Sequence, residues 1–157
     1  MDKPVAADDQ EVRDAALDVG QSFIVRAPAG SGKTRLLIQR YLTLLARVDE
    51  PEEIIAITFT RKAAAEMRER VLDAFASARD SAMAMDETTR RLAVAALEHD
   101  RARDWQLEAN ASRLRIQTID SLNASITRQM PLAARFGAQP ESVDNADTLY
   151  REEIGRA

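Results

Sequence analysis

A chain of 157 residues is long enough for about one domain, and a chain of that size buries roughly two-thirds of its unfolded surface with no disulfide or metal to help it. It has no cysteine and a single histidine, His99, which excludes thiol catalysis and Cys- or His-rich metal sites and argues against a Ser-His-Asp triad. Charged residues at 31% and hydrophobic ones at 45% are the balance of a soluble globular domain. No apolar run approaches the roughly eighteen residues of a membrane span, and the acidic N-terminus lacks a signal-peptide stretch, so the expected location is cytoplasmic.

In chain order, Asp9 to Val19 reads as a short helix, with Val12, Ala15, Ala16 and Val19 at helical spacing and Gly20 as its stop. Ser22-Phe23-Ile24-Val25 is expected to be a buried strand, followed by a loop at 27–32. Lys33 to about Val48 is helical, with Leu36, Leu37, Arg40, Tyr41, Leu44, Leu45 and Val48 recurring at helical spacing, and Asp49-Glu50-Pro51 breaks it. Ile54 to Phe59 is β-branched and apolar throughout, which predicts a strand buried on both faces.

Thr60 stands where a helix N-cap belongs, ahead of a helix to about Ala78. Its expected inward stripe is Ala63, Met67, Val71, Ala74 and Phe75, with Glu66 paired to Arg70 outside. After a loop at 80–86, Thr89 to Asp100 is a further helix. Leu114 to Gln117 is a third strand, and Thr118 to Gln129 a helix stopped by Pro131. The stretch past Gly137 reads as loop, and Thr148 to Ile154 as the start of another element. Alternating strands and helices predict an α/β fold with a parallel sheet covered by helices.

Net charge is −4, which argues against a strongly basic nucleic-acid binder. The excess is acidic at residues 1–20, whereas residues 21–50 carry +3, enough local positive charge to attract phosphate. Arginine outnumbers lysine 19 to 3, a ratio expected first from coding bias. His99 and the Arg90-Arg91 pair are expected to be solvated, and Trp105 to anchor packing.

Ala27-Pro28-Ala29-Gly30-Ser31-Gly32-Lys33-Thr34 is a P-loop pattern whose first glycine is replaced by Ala27. Its glycines let backbone N–H groups wrap phosphate oxygens at a helix N-terminus, where the dipole favours negative charge. Lys33 is expected to reach the β and γ phosphates and the Thr34 hydroxyl to ligate Mg²⁺. The required context, a buried strand before and an amphipathic helix after, is expected on both sides.

That octet, the run Ile57-Thr58-Phe59-Thr60-Arg61-Lys62-Ala63-Ala64-Ala65-Glu66-Met67 and the block Thr118-Ile119-Asp120-Ser121-Leu122 together resemble three successive blocks of the superfamily 1 DNA helicases of the UvrD/Rep type. The last block and the long gap before it are most similar to the RecB/AddA branch, the helicase–nuclease subunits of double-strand break repair. The resemblance implies a RecA-like P-loop NTPase fold, with residues 1–125 as part of a first motor lobe and 126–157 as the start of a helical insertion.

It further implies that Asp9-Gln10-Glu11-Val12-Arg13 is the upstream glutamine motif, Gln10 reading the adenine edge. Ala27 through Thr34 would hold ATP and Mg²⁺, and Arg35 would lie near the base. Thr58, Phe59, Thr60, Thr118 and Ser121 would contact single-stranded DNA. The hydroxyls suit phosphates and Phe59 offers a base a stacking face, with core packing and N-capping as the alternative uses of these side chains. Arg61 stands where many relatives carry Asn, which leaves a DNA contact there in question.

Hydrolysis in this family needs an Asp-Glu pair at the end of a further buried strand. Neither Asp49-Glu50 nor Asp86-Glu87 has that setting. The reading is therefore the N-terminal piece of a DNA helicase, truncated or shortened, that binds nucleotide with little turnover. Its parent would act 3′–5′ on DNA in repair, in company with a second helicase–nuclease polypeptide. The alternatives are a small P-loop phosphotransferase, with residues 79–103 as a lid, and a non-catalytic nucleotide- or partner-binding module.

Overall fold

The computed structural model describes residues 6–26, 28, 30–80 and 82–129, the first five of these as backbone only. The expectations past Gln129, the side chain of Gln10, and Ala27 and Ala29 lie outside the described residues. Among the described residues five α-helices, α1 (Ala6–Ala16), α2 (Lys33–Leu45), α3 (Arg61–Arg79), α4 (Glu87–Arg103) and α5 (Ile119–Gln129), and two strands, β1 (Ile55–Thr58) and β2 (Arg115–Thr118), follow in the order α1–α2–β1–α3–α4–β2–α5. The chain divides into two compact units at Thr118/Ile119, with α5 in the second.

The first unit is an α/β arrangement. β1 and β2 pair in parallel, from Ile55 opposite Arg115 to Thr58 opposite Thr118. A parallel pair needs a crossover, and α3 and α4 together supply it. Its inner face presents Ile116 and Thr118, both buried, to the helices, and α2, α3 and α4 close the core around Leu42, Leu45, Val71, Phe75, Ala93, Ala96 and Leu97.

Local rules set the boundaries. Thr60 Oγ1 accepts from Ala63 N at 3.1 Å and so caps α3 at the expected residue. Asp86 does the same for α4, accepting from Thr89 N at 3.0 Å, which starts that helix before Thr89 and carries it past Asp100 to Arg103. α1 ends at Ala16, short of Val19, because Asp18 bends the chain after it: its carboxylate accepts from Gly20 N and Gln21 Nε2, each at 2.9 Å.

Several expectations are corrected. Ser22–Arg26 is not a strand among the described residues, and Ile24 is 87% exposed. A strand exists through its ladder, and the described sheet has only β1 and β2 to pair with. β1 is covered on one face, with Ile55 and Ile57 exposed on the other. The stripe of α2 runs through Leu36, Ile38, Tyr41, Leu42 and Leu45, leaving Leu37 outside. In α3, Ala64 rather than Ala63 faces inward, and Glu66 pairs with Lys62 at 3.9 Å rather than forward with Arg70.

His99 is not solvated. Its Nε2 lies 2.8 Å from Val48 O, and its ring meets the buried Trp105 edge-on with centroids 5.1 Å apart. Arg90 is held by Met83 O at 2.6 Å, and Arg91 is exposed as expected. α4 does not have the character of a mobile lid, because Ala93 and Ala96 are fully buried in the core.

Arg113 donates to Glu52 Oε1 at 2.7 Å and to Glu50 Oε2 at 2.8 Å, joining the approach to β2 to that of β1. Its guanidinium holds the Glu52 carboxyl below the usual carboxylate range. A carboxyl depressed in the folded state stabilises above its unfolded pKa of about 4, and that contribution fades as pH falls through the folded value. Arg113→Met should therefore shallow the loss of stability below about pH 4 in urea titrations of the full chain at stepped pH. Phe75→Ala should cost about 3–5 kcal/mol in the same measurement at neutral pH.

Candidate nucleotide and nucleic-acid site

The segment before α2 turns sharply. Ser31 N donates to Pro28 O at 3.4 Å, and Gly30 and Gly32 both take left-handed backbone, φ 78° and 82°. A Cβ at Gly30 would meet nothing within 4 Å, so glycine is required there by conformation, not by space. Gly32 is the N-cap of α2 and makes no side-chain cap to its first turn, the end at which a helix dipole draws an anion.

Lys33, the first residue of α2, reaches back so that its Nζ donates to Pro28 O, across the span of the loop. Thr34 is exposed beside it. Among the described residues no group of three or more His, Cys, Asp or Glu gathers to hold a metal ion. What the loop offers is donors and the hydroxyls of Ser31 and Thr34, a set that fits a phosphate chain carrying its own Mg²⁺ and not a protein-caged ion.

Two arginines flank the loop. Arg13 Nη2 donates to Ser31 O at 2.8 Å, and a Cβ on Gly32 would stand 3.4 Å from Arg13 Nη1 and 3.6 Å from Arg35 Nη2. Beside them opens a pocket of about 200 Å³, lined by Arg13, Asp14, Arg35, Gln39, Asp86, Glu87 and Thr88. Burial works against ionisation of Asp86, yet hydrogen bonds from the Thr89 hydroxyl and backbone, the charge of Arg35 and the Gln39 amide together hold its carboxyl below the usual range.

Arg40, about two turns into α2, donates to Ala16 O at 2.6 Å, Asp18 O at 3.0 Å and Gln21 O at 2.6 Å, and its guanidinium carbon lies 5.4 Å from the centroid of Phe23. α1 and the chain after it are thereby tied to the helix that starts at the loop.

The remaining candidates lie elsewhere. Thr58 and Thr118 end the two strands side by side. Thr58 Oγ1 donates to Thr60 O at 3.1 Å, Thr118 is buried, and Phe59 is 96% exposed, which removes core packing as its role. Arg61 is exposed at the start of α3, and Ser121 is exposed in the first turn of α5, in the second unit.

The model of the UvrD/REP helicase N-terminal domain matches residues 8–153. The chain belongs to this family. Parts of it are also similar to proteins whose names make them subunits of an ATP-dependent helicase/nuclease: 47% identical over 60 residues in Desulfitobacterium hafniense, 40% over 68 in Thermoanaerobacter sp. and 37% over 75 in Ligilactobacillus salivarius. These matches cover 36%, 41% and 48% of the chain but only 4%, 6% and 6% of those proteins.

Sequence reasoning missed Arg13, Arg40, Gln39 and Asp86 around the UvrD/REP glycine loop. Gln39 gave a signal as a polar residue between the apolar positions of α2, and Asp86 one as half of an acidic pair. No spacing rule reveals an arginine that reaches a carbonyl in a distant part of the chain. Gly30→Ala and Gly32→Ala should each cost about 1–2 kcal/mol through left-handed backbone, whereas Gly30→Asn should cost less, because Asn tolerates that region. Thermal melts of the three variants check this.

Proposed function

We propose that this chain is the ATP-binding part of a 3′–5′ DNA helicase of recombination and repair, with a RecA-like first motor lobe over residues 1–125 and the start of a helical insertion over 126–157. Pro28 through Thr34, with Ala27 before them, hold the phosphates. Lys33 neutralises the terminal phosphates and Thr34 offers its hydroxyl to Mg²⁺, while Gln10 and Arg35 face the base. Thr58, Phe59 and Thr60 contact single-stranded DNA from the first unit and Ser121 contacts it from the second, whereas the burial of Thr118 keeps that side chain from it. The observation that carries the reading is the pair of left-handed glycines that delivers the chain into an uncapped helix whose first residue is Lys33.

ATP bound with Mg²⁺ supplies a phosphoanhydride whose hydrolysis drives movement along DNA. The residues here bind and orient that group. A reading as a non-hydrolysing module is favoured by the use of both Asp-Glu pairs. Asp49 accepts from Arg103 at 2.6 Å and Glu50 from Arg113, while Asp86 caps α4. Neither pair closes a strand of the described sheet, so this chain by itself should bind nucleotide and turn it over little. The relatives are named as one component of a helicase/nuclease, which supports a second polypeptide as partner of the whole protein.

Titration with ATP and Mg²⁺ should give saturable binding that Lys33→Ala weakens at least about tenfold at unchanged helical content. Unaltered affinity in that variant overturns the phosphate assignment. Phe59→Ala should weaken single-stranded DNA binding by about 1–3 kcal/mol and leave the melting temperature alone, because the ring packs against nothing it would miss.

A further inference from the structure

The turn between α3 and α4 is held by a sulfur. Ser77, fully buried near the end of α3, donates its hydroxyl to Ala74 O at 2.9 Å and to Met85 Sδ at 3.0 Å. Met85 directly precedes Asp86, the cap of α4. Asp86 accepts from Thr89 N at 3.0 Å and from Gln39 Nε2 at 3.1 Å, and Gln39 Nε2 also donates to Thr89 Oγ1 at 2.9 Å. Hydrogen bonds and one peptide link therefore run from a buried serine of α3, through Met85, to the start of α4 and on to α2.

Met85 has two surroundings. It packs against the helical core, and with Ile38, Asp86 and Thr89 it lines a solvent-open pocket of about 360 Å³. Met67 sits within the core at 8% exposed, and Met83 stands 39% exposed in the turn. A thioether is a soft apolar group, and a peroxide converts an accessible one to a polar, chiral sulfoxide. At Met83 the added oxygen meets water. At Met85 it has to fit beside the core, and the oxidised sulfur is a poor acceptor, so the buried Ser77 hydroxyl loses a partner.

We propose that Met85 is an oxidation site whose conversion to the sulfoxide by a peroxide loosens the start of α4 from α2. A sulfur lone pair attacks one peroxide oxygen, the O–O bond breaks and an S–O bond forms. The departing oxygen takes up the proton of the transferred one and leaves as water. Sulfur gives up two electrons and the peroxide gains them. The step uses no part of the glycine loop and is independent of the nucleotide reading.

The test is treatment of the full chain, and of Met85→Leu, with hydrogen peroxide, with sulfoxide located by fragment mass spectrometry. Met85 should oxidise well before Met67. The melting temperature of the treated parent should fall by about 3–6 °C, and that of treated Met85→Leu should hold, because Leu fills the same volume and offers no sulfur. In the oxidised parent the Thr89 amide, bonded to Asp86, should exchange its hydrogen at least about threefold faster, while the Ala63 amide at the start of α3 keeps its rate.

An unchanged melting temperature with Met85 oxidised, an equal fall in Met85→Leu, or oxidation of Met67 ahead of Met85 would overturn the proposal. If Met85→Leu fails to fold, the time course in the parent decides: the fall should follow sulfoxide at Met85, and a fall that follows Met83 is equally fatal.

Discussion

α2 is held on two sides by helices that meet it with very different surfaces. α3 brings bulk, chiefly Phe75 and Val71, whereas α4 brings Ala93 and Ala96, which let the helices approach closely and seal Leu42 and Leu45 from water. A helix fixed this firmly along its length has a fixed first turn. The glycine loop is attached to that turn, so its helix end is set by the core, while Arg13 and Lys33 hold its far side. The first turn of α2 is thereby preorganised, the condition under which backbone donors hold an anion well.

What the core does not reach, arginines do. Arg13 holds Ser31 O, Arg40 gathers three carbonyls after α1, Arg68 donates to Ile116 O at 2.8 Å, and Arg90 holds Met83 O. Each takes backbone acceptors in places where regular ladders do not satisfy them. One rigid fork with five donors does this better than an ammonium. The excess of arginine over lysine, expected from coding bias, thus has a structural use in this chain. The fork of Arg68 also lies near the buried Tyr41 phenol, whose pKa burial pushes far above the ordinary range while the nearby positive charge works against the rise.

Elements whose stability is local could be read from the sequence. Thr60 caps α3 because its hydroxyl needs only a neighbour three residues on, and Lys33 opens α2 because a glycine precedes it. The β-branched run at Ile55–Thr58 is a strand wherever a partner is available, and β2 provides one. Ser22–Val25 has the same composition and is not a strand among the described residues, since pairing is a property of two segments and composition describes one. His99 departs from its sequence reading for a related reason: its partners, Val48 and Trp105, come from outside its helix. At the candidate site, the glycines and Lys33 were legible as a motif. Asp86 was visible only as half of an acidic pair, and its bonds to Gln39, 47 residues away in sequence, required the fold.

Trp105 is the one tryptophan in the chain, and the turn that seats it is unusual. Its neighbours Asp104 and Gln106 both carry positive φ, 52° and 57°, while the indole is 3% exposed and edge-on to His99. The chain reverses on either side of the ring and drives it into the core. The protein thus carries a single indole fluorophore whose emission follows the integrity of the helical core. The ring of His99 stands edge-on to it, so the same light registers any displacement of the α4 turn that carries that histidine.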